Sequence, residues 1–178
     1  MLDLLFSITD WLRTTALLDF AFWLGDTSLS LFMVENFWNV PIAQVIHIAA
    51  IGLGFASLLM LTLRTYEKAG TTLSVAANAA RYLPWMWWSL LTILLSGLLM
   101  ITAEPIRNMV NAVFWIKMIA LVVTMLITLR FHSSVKAKAL AAGDAYVASS
   151  GTRTTGLLLL ILWCFIMFCG RWIAYVPV

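Results

Sequence analysis

The chain has 178 residues, of which 63% are hydrophobic and 11% charged, less than half the charge of an ordinary soluble domain, and this excludes a soluble globular protein. Lys and Arg total 11 against 8 Asp and Glu, a net charge of +3. No basic block is interleaved with aromatics on a polar face, so no nucleic-acid partner is expected, and the positive charge belongs to membrane topology.

Residues 1–35 contain Asp3, Asp10, Arg13, Asp19 and Asp26, which break the apolar pattern too often for a membrane span. They read as an amphipathic interfacial segment on the periplasmic side. Leu4, Leu5, Ile8, Trp11 and Leu12 follow a three-four spacing, an apolar stripe for lipid or for the bundle with the acids outward. A partly inserted hairpin is the rival reading. With no basic n-region and no small-residue cleavage site after a short apolar core, no removable signal peptide is expected.

Residues 36–178 form the membrane body. A spanning helix needs about 20 largely apolar residues because every backbone polar group must be paired inside the bilayer. Four segments meet that length, at about 40–63, 83–103, 109–129 and 156–175, the third interrupted by Lys117 and the fourth carrying Arg171 in its last turns. Pro41, Pro84 and Pro105 stand at span boundaries and Pro177 follows the last span, as suits a residue that starts or stops helices. The stretch from Ser133 to Thr155 is small and polar and reads as a loop with one amphipathic turn. The expected fold is all-α and integral to the membrane, a four-transmembrane-helix bundle preceded by amphipathic interfacial helices.

Orientation follows from the cations. Arg64, Lys68 and Arg81 connect spans one and two, and Arg130, Lys136, Lys138 and Arg153 connect spans three and four, so both connections are cytoplasmic and both termini periplasmic. The other side has Arg13 and Arg107 and collects Asp3, Asp10, Asp19, Asp26, Glu35 and Glu104. Trp38, Trp115 and Trp172 mark the outer interface and Trp85, Trp87 and Trp88 the inner one. Cys164 and Cys169 point in different directions on one helix and form neither a CxxC motif nor a disulfide; with Met167 they read as packing.

Ionisable side chains within spans cost several kcal/mol unless paired or facing a cavity, and they carry the functional signal. His47 lies six residues below Pro41, Lys117 six below Asn111 and Arg171 about five from the end of span four, while Glu104 closes span two on the same side. At 1.5 Å per residue these depths agree within about a turn, which places the four in one outer-leaflet site. The sum is cation-rich, with room for an anionic ligand such as a haem propionate, a quinone oxygen or a lipid phosphate. The plainer alternatives are that Lys117 and Arg171 snorkel to headgroups and that His47 is satisfied by one interhelical hydrogen bond or handles a proton. Ala43, Ala50 and Gly54 share the helical face of His47 and form a flat groove beside the imidazole, suited to a macrocycle or to close helix packing.

His132 stands about 20 Å further along the membrane normal than His47, so the two cannot ligate one iron and a bis-histidine haem within one chain is excluded. Beside Arg130, it reads as an interfacial residue. Met33, Met100, Met109 and Met118 reach the outer half and their thioethers suit Cu(I), although none stands with His47 in a recognisable spacing. No nucleophile with a base, phosphate loop or metal-hydrolase motif appears, so the chain is not expected to be catalytic alone.

Pro41, His47, Gly54 and the Leu63-Arg64 pair resemble the first span of small bacterial inner-membrane proteins related to the CopD-like (copper-resistance D) membrane domain. Ser96-Gly97-Leu98, then Asn111, Phe114 and Lys117, and finally Gly170-Arg171-Trp172-Ile173-Ala174-Tyr175 continue the likeness, which runs from about Trp11 onward. The resemblance implies a four-span bundle in a bacterial cytoplasmic membrane and places His47, Lys117 and Arg171 in the family's pattern; small members are mostly of unknown function. The longer multi-span body of the copper-resistance proteins is missing, so copper import is not implied.

The resulting expectation is a membrane subunit that holds haem b, or interacts with a quinone, near the periplasmic face and transfers electrons for a partner oxidoreductase. His47 is the axial ligand or quinone hydrogen-bond donor. Lys117 and Arg171 pair with propionates or the quinone oxygen, Trp115 and Trp172 wall the pocket, and Ala50, Gly54 and Glu104 complete it. Two alternatives stand beside this. One is a copper-handling protein with Cu(I) on His47 and nearby methionines. The other is a cofactor-free structural or anchoring subunit whose amino-terminal helices dock a membrane complex, or a homo-oligomer.

Overall fold

The computed structural model describes residues 2–176. In chain order the helices are α1 (Leu2–Arg13), α2 (Ala16–Gly25), α3 (Ser28–Glu35), α4 (Asn39–Thr65), α5 (Val75–Ala103), α6 (Pro105–Met109), α7 (Ala112–Ala142) and α8 (Ser150–Trp172), with 3₁₀ turns at Gly143–Ala145 and Ile173–Tyr175; the described residues contain no strand. α4, α5, α7 and α8 are each long and apolar enough to cross a membrane, so the fold is all-α and the protein a multi-pass membrane protein. Large apolar side chains such as Ile48, Leu94, Ile119, Leu126, Ile161 and Phe168 face outward. In water this would be a liability, whereas in a bilayer it is the lipid contact.

Three boundaries differ from those read in the sequence. α5 begins at Val75, so Pro84 lies inside the helix rather than at its start; spanning helices tolerate an internal proline because neighbouring groups re-satisfy the freed carbonyl. α7 runs on to Ala142 and takes up His132, Lys136 and Lys138, because Ala, Lys and Leu after Ser134 favour helix even where hydropathy falls. α8 starts at Ser150, capped by the Ser149 hydroxyl, which accepts from the Thr152 amide at 3.3 Å. Pro105 opens α6 as expected, and Pro177 lies outside the described residues.

The amino-terminal stripe is divided between two surfaces. Leu12 is buried and Leu5 packs against Val113, Cys169 and Val176, while Leu4 and Trp11 remain exposed. α2 packs on α6, with Gly25 against the Pro105 ring and Ala21 fully buried. α2 and α3 are jointly apolar enough to form a span but bend by 64° at their junction, where the Thr27 hydroxyl caps α3. By length and composition the pair could be a broken span or a re-entrant loop.

The chain divides into two compact units that share the four long helices: Met1–Ile48, Ile93–Ala120 and Ile166–Val178 form the first, and Ala49–Thr92 and Leu121–Phe165 the second. The second packs as a four-helix ring. A Cβ on Gly54 of α4 would meet Trp163 of α8 at 2.9 Å and Ser89 of α5 at 3.1 Å, and one on Gly156 of α8 would meet Thr62 at 2.8 Å. Trp87 of α5 donates its indole N–H to His132 Nδ1 of α7. The α4–α5 connection turns at Glu67 and Gly70, both with positive φ, and is tied by Asn78 Nδ2 to the carbonyls of Gly70 and Ser74 at 3.1 and 3.0 Å.

Candidate functional site in the first unit

His47 is half-buried on the inward face of α4 that also carries the buried Ala43 and Ala50. Its ring lies on α5. Nδ1 is 2.9 Å from Ser96 Oγ, and Gly97 presents bare backbone to the imidazole, since a Cβ there would stand 3.4 Å from Cε1. Ser96 Oγ in turn donates to the Ile93 carbonyl at 3.4 Å. A carbonyl only accepts, so the tautomer this network selects carries its proton on Nδ1 and keeps the lone pair on Nε2.

Lys117, on α7 six residues beyond the capping Asn111, lays its side chain over Gly170 of α8, with Nζ 3.6 Å from where a Cβ would stand. The glycine makes the space that a longer residue would fill. Cys169, beside Gly170, is buried against Val113. Among the described residues, no carboxylate lies within ion-pair distance of Lys117; the pairs formed are Arg13–Asp10, Arg107–Glu104 and Arg153–Glu67. Each long helix contributes a polar or small residue to the first unit: His47 from α4 meets Ser96 and Gly97 of α5, and Lys117 from α7 meets Gly170 of α8.

The other residues of the expected site are engaged elsewhere. Glu104 pairs with Arg107 at 3.0 Å, and Arg107 also donates to the Ala174 carbonyl at 3.3 Å. Arg171 is exposed, donates to Tyr175 Oη at 3.0 Å and lies over that ring. Trp115 donates to the Met109 carbonyl at 2.8 Å, and Trp172 stacks on Phe168. Gly54 is covered by Trp163, so at this position the small-residue face serves helix packing. Met33 and Met100 pack with Ala43, one turn from His47. His132 is held by Trp87 in the second unit.

Two polar residues were visible in the sequence only as parts of motifs. Ser96 is the partner of His47. Asn111, with no exposed surface, caps α7 by accepting from the Val113 and Phe114 amides at 2.9 and 3.4 Å, and it donates to the Ile173 carbonyl at 3.3 Å.

Comparison with known proteins gives one match. Residues 21–176 match the model of a family of unknown function, DUF6644. This range is most of the chain, and the protein belongs to that family. No curated protein and no solved structure matches it.

Proposed function

We propose that this member of DUF6644 is a membrane subunit that binds haem b through His47 and serves electron transfer for a partner oxidoreductase. The observation that carries the reading is the His47–Ser96 contact of 2.9 Å. A histidine that ligates a metal commonly donates its other ring N–H to a neighbouring acceptor, which fixes the ring and leaves Nε2 for the metal. Lys117, without a carboxylate partner among the described residues, supplies the positive charge that a propionate requires. Haem would contribute one-electron chemistry; the chain contributes the ligand nitrogen, its orientation and a countercharge.

A quinone is the second reading, favoured by the same ammonium. Lys117 donates to a carbonyl oxygen of a head group entering from lipid, and His47 Nε2 accepts the hydroxyl proton of the reduced form. The likeness to the CopD-like membrane domain adds a bacterial inner membrane to this proposal, and the cation distribution adds periplasmic termini.

The test is a reduced-minus-oxidised absorption spectrum of gently purified protein, with iron and copper analysis and quinone extraction on the same sample. Stoichiometric iron with a haem b band that His47→Ala abolishes supports the first reading. Quinone retained by wild type and lost in Lys117→Met supports the second. Copper in place of iron would replace both with a copper-handling role. A sample holding none of these would leave a structural subunit, which deletion of residues 1–32 should release from its partner.

A further inference from the structure

A second polar locus lies in the second unit. A groove of about 410 Å³ opens between α7 and the start of α8, and Arg130, Lys138, Ser134, Ser149, Thr152 and Thr155 line it. None of its lining residues is acidic. The buried side chains of Phe131 and Val135 form its floor. Thr152 is also buried and hydrogen-bonds to Ser149 Oγ at 3.0 Å, which fixes the hydroxyls in place. Gly151 leaves the groove open to the backbone, since a Cβ there would meet only Ser149 Oγ at 4.0 Å.

Depth indicates the chemistry. Arg130 lies 18 residues beyond Ala112 at the start of α7, about 27 Å at 1.5 Å per residue, close to the ~30 Å thickness of a hydrocarbon core. The groove therefore begins where acyl chains give way to headgroups. Its two cations are eight residues apart on one helix, roughly two turns. This combination of two cations, a polar wall and an apolar floor at headgroup depth matches a phosphodiester with its acyl chains attached.

We propose that this groove binds the headgroup of an anionic phospholipid, with Arg130 and Lys138 on the phosphate and the Ser149, Thr152 and Thr155 hydroxyls beside it. The apolar part, at Ile127 and Phe131, receives the upper acyl chain. The assignment does not depend on a redox group at His47.

Native mass spectrometry of the purified full chain, with equal amounts of dioleoyl phosphatidylglycerol and dioleoyl phosphatidylcholine, tests it. Wild type should retain the anionic lipid in preference. Each groove cation contributes about fivefold, so Arg130→Gln with Lys138→Gln should lower that preference roughly thirtyfold. Lys136→Gln removes the same charge from the same helix but outside the groove, and should leave the preference unchanged. Lys138→Gln alone, at an exposed position, keeps the test valid should the double variant not assemble, with a loss of about fivefold. Equal retention of the two lipids by wild type would overturn the proposal, as would equal losses in Lys136→Gln and Lys138→Gln. Displacement of phosphatidylglycerol by inorganic phosphate alone would also overturn it, assigning the groove to free phosphate.

Discussion

Gly54 and Gly52 stand two residues apart on α4 in opposite surroundings, and an alanine at each should have opposite effects. A Cβ on Gly52 meets nothing within 4 Å, whereas one on Gly54 would meet Trp163 Cη2 at 2.9 Å and Ser89 Cβ at 3.1 Å. Both substitutions gain helix propensity, about 1 kcal/mol. Only Gly54→Ala must also displace a buried indole and a neighbouring helix, an overpacking cost of about 1–3 kcal/mol. For a chain of this size each kcal/mol is about 2–4 °C of melting temperature, so Gly54→Ala should melt roughly 2–12 °C below Gly52→Ala. Thermal unfolding in detergent, followed by tryptophan fluorescence, reads the difference. A double variant locates its origin. Trp163→Phe removes the ring edge that reaches Gly54, so Gly54→Ala should cost at least about 1 kcal/mol less in that background. Equal melting of the two alanine variants would refute the close α4–α8 packing, and so would strict additivity with Trp163→Phe.

Three further outcomes follow from single contacts. Asn111→Ala removes the α7 cap and the bond to Ile173, and should cost about 1–2 kcal/mol, with Asn111→Asp, which keeps the cap acceptor, falling between it and wild type in thermal unfolding. Trp87→Phe leaves His132 Nδ1 without its donor and should cost about 1–3 kcal/mol; in a double-mutant cycle with His132→Ala the losses should not add, and additive losses would show that the hydrogen bond contributes nothing. Glu104→Gln breaks an ion pair whose side chains are 41% and 53% exposed, so its effect should stay within about 0.5 kcal/mol and fade as salt is added, as melting at low and high ionic strength would show.

The four long helices were legible because lipid imposes a length and an apolar requirement that sequence displays directly. Their ends were not. Pro84 looked like a boundary because proline stops helices in water, and residues 133–142 looked like a loop because hydropathy drops there although helix propensity does not. The candidate site was half legible. Depth along each helix could be counted from the nearest boundary, and that count brought His47 and Lys117 to one level. Rotation about each helix axis depends on which neighbour fills which face, so Glu104 and Arg171 shared the depth but turned toward Arg107 and Tyr175. Ser96 carried no signal of its own: one hydroxyl in an apolar span reads the same whether it bonds its own helix or an imidazole 49 residues away.

The Asn111 clasp sets an order of assembly. Its amide nitrogen reaches the Ile173 carbonyl across 62 residues, and Arg107 reaches Ala174 across 67. When the turn between α6 and α7 leaves the ribosome, α8 has not yet been made. That turn must wait, with polar groups unmatched at the edge of the bilayer, until the closing turn after α8 arrives to meet it. Any condition that delays insertion of α8 therefore leaves the Asn111 amide without its Ile173 partner.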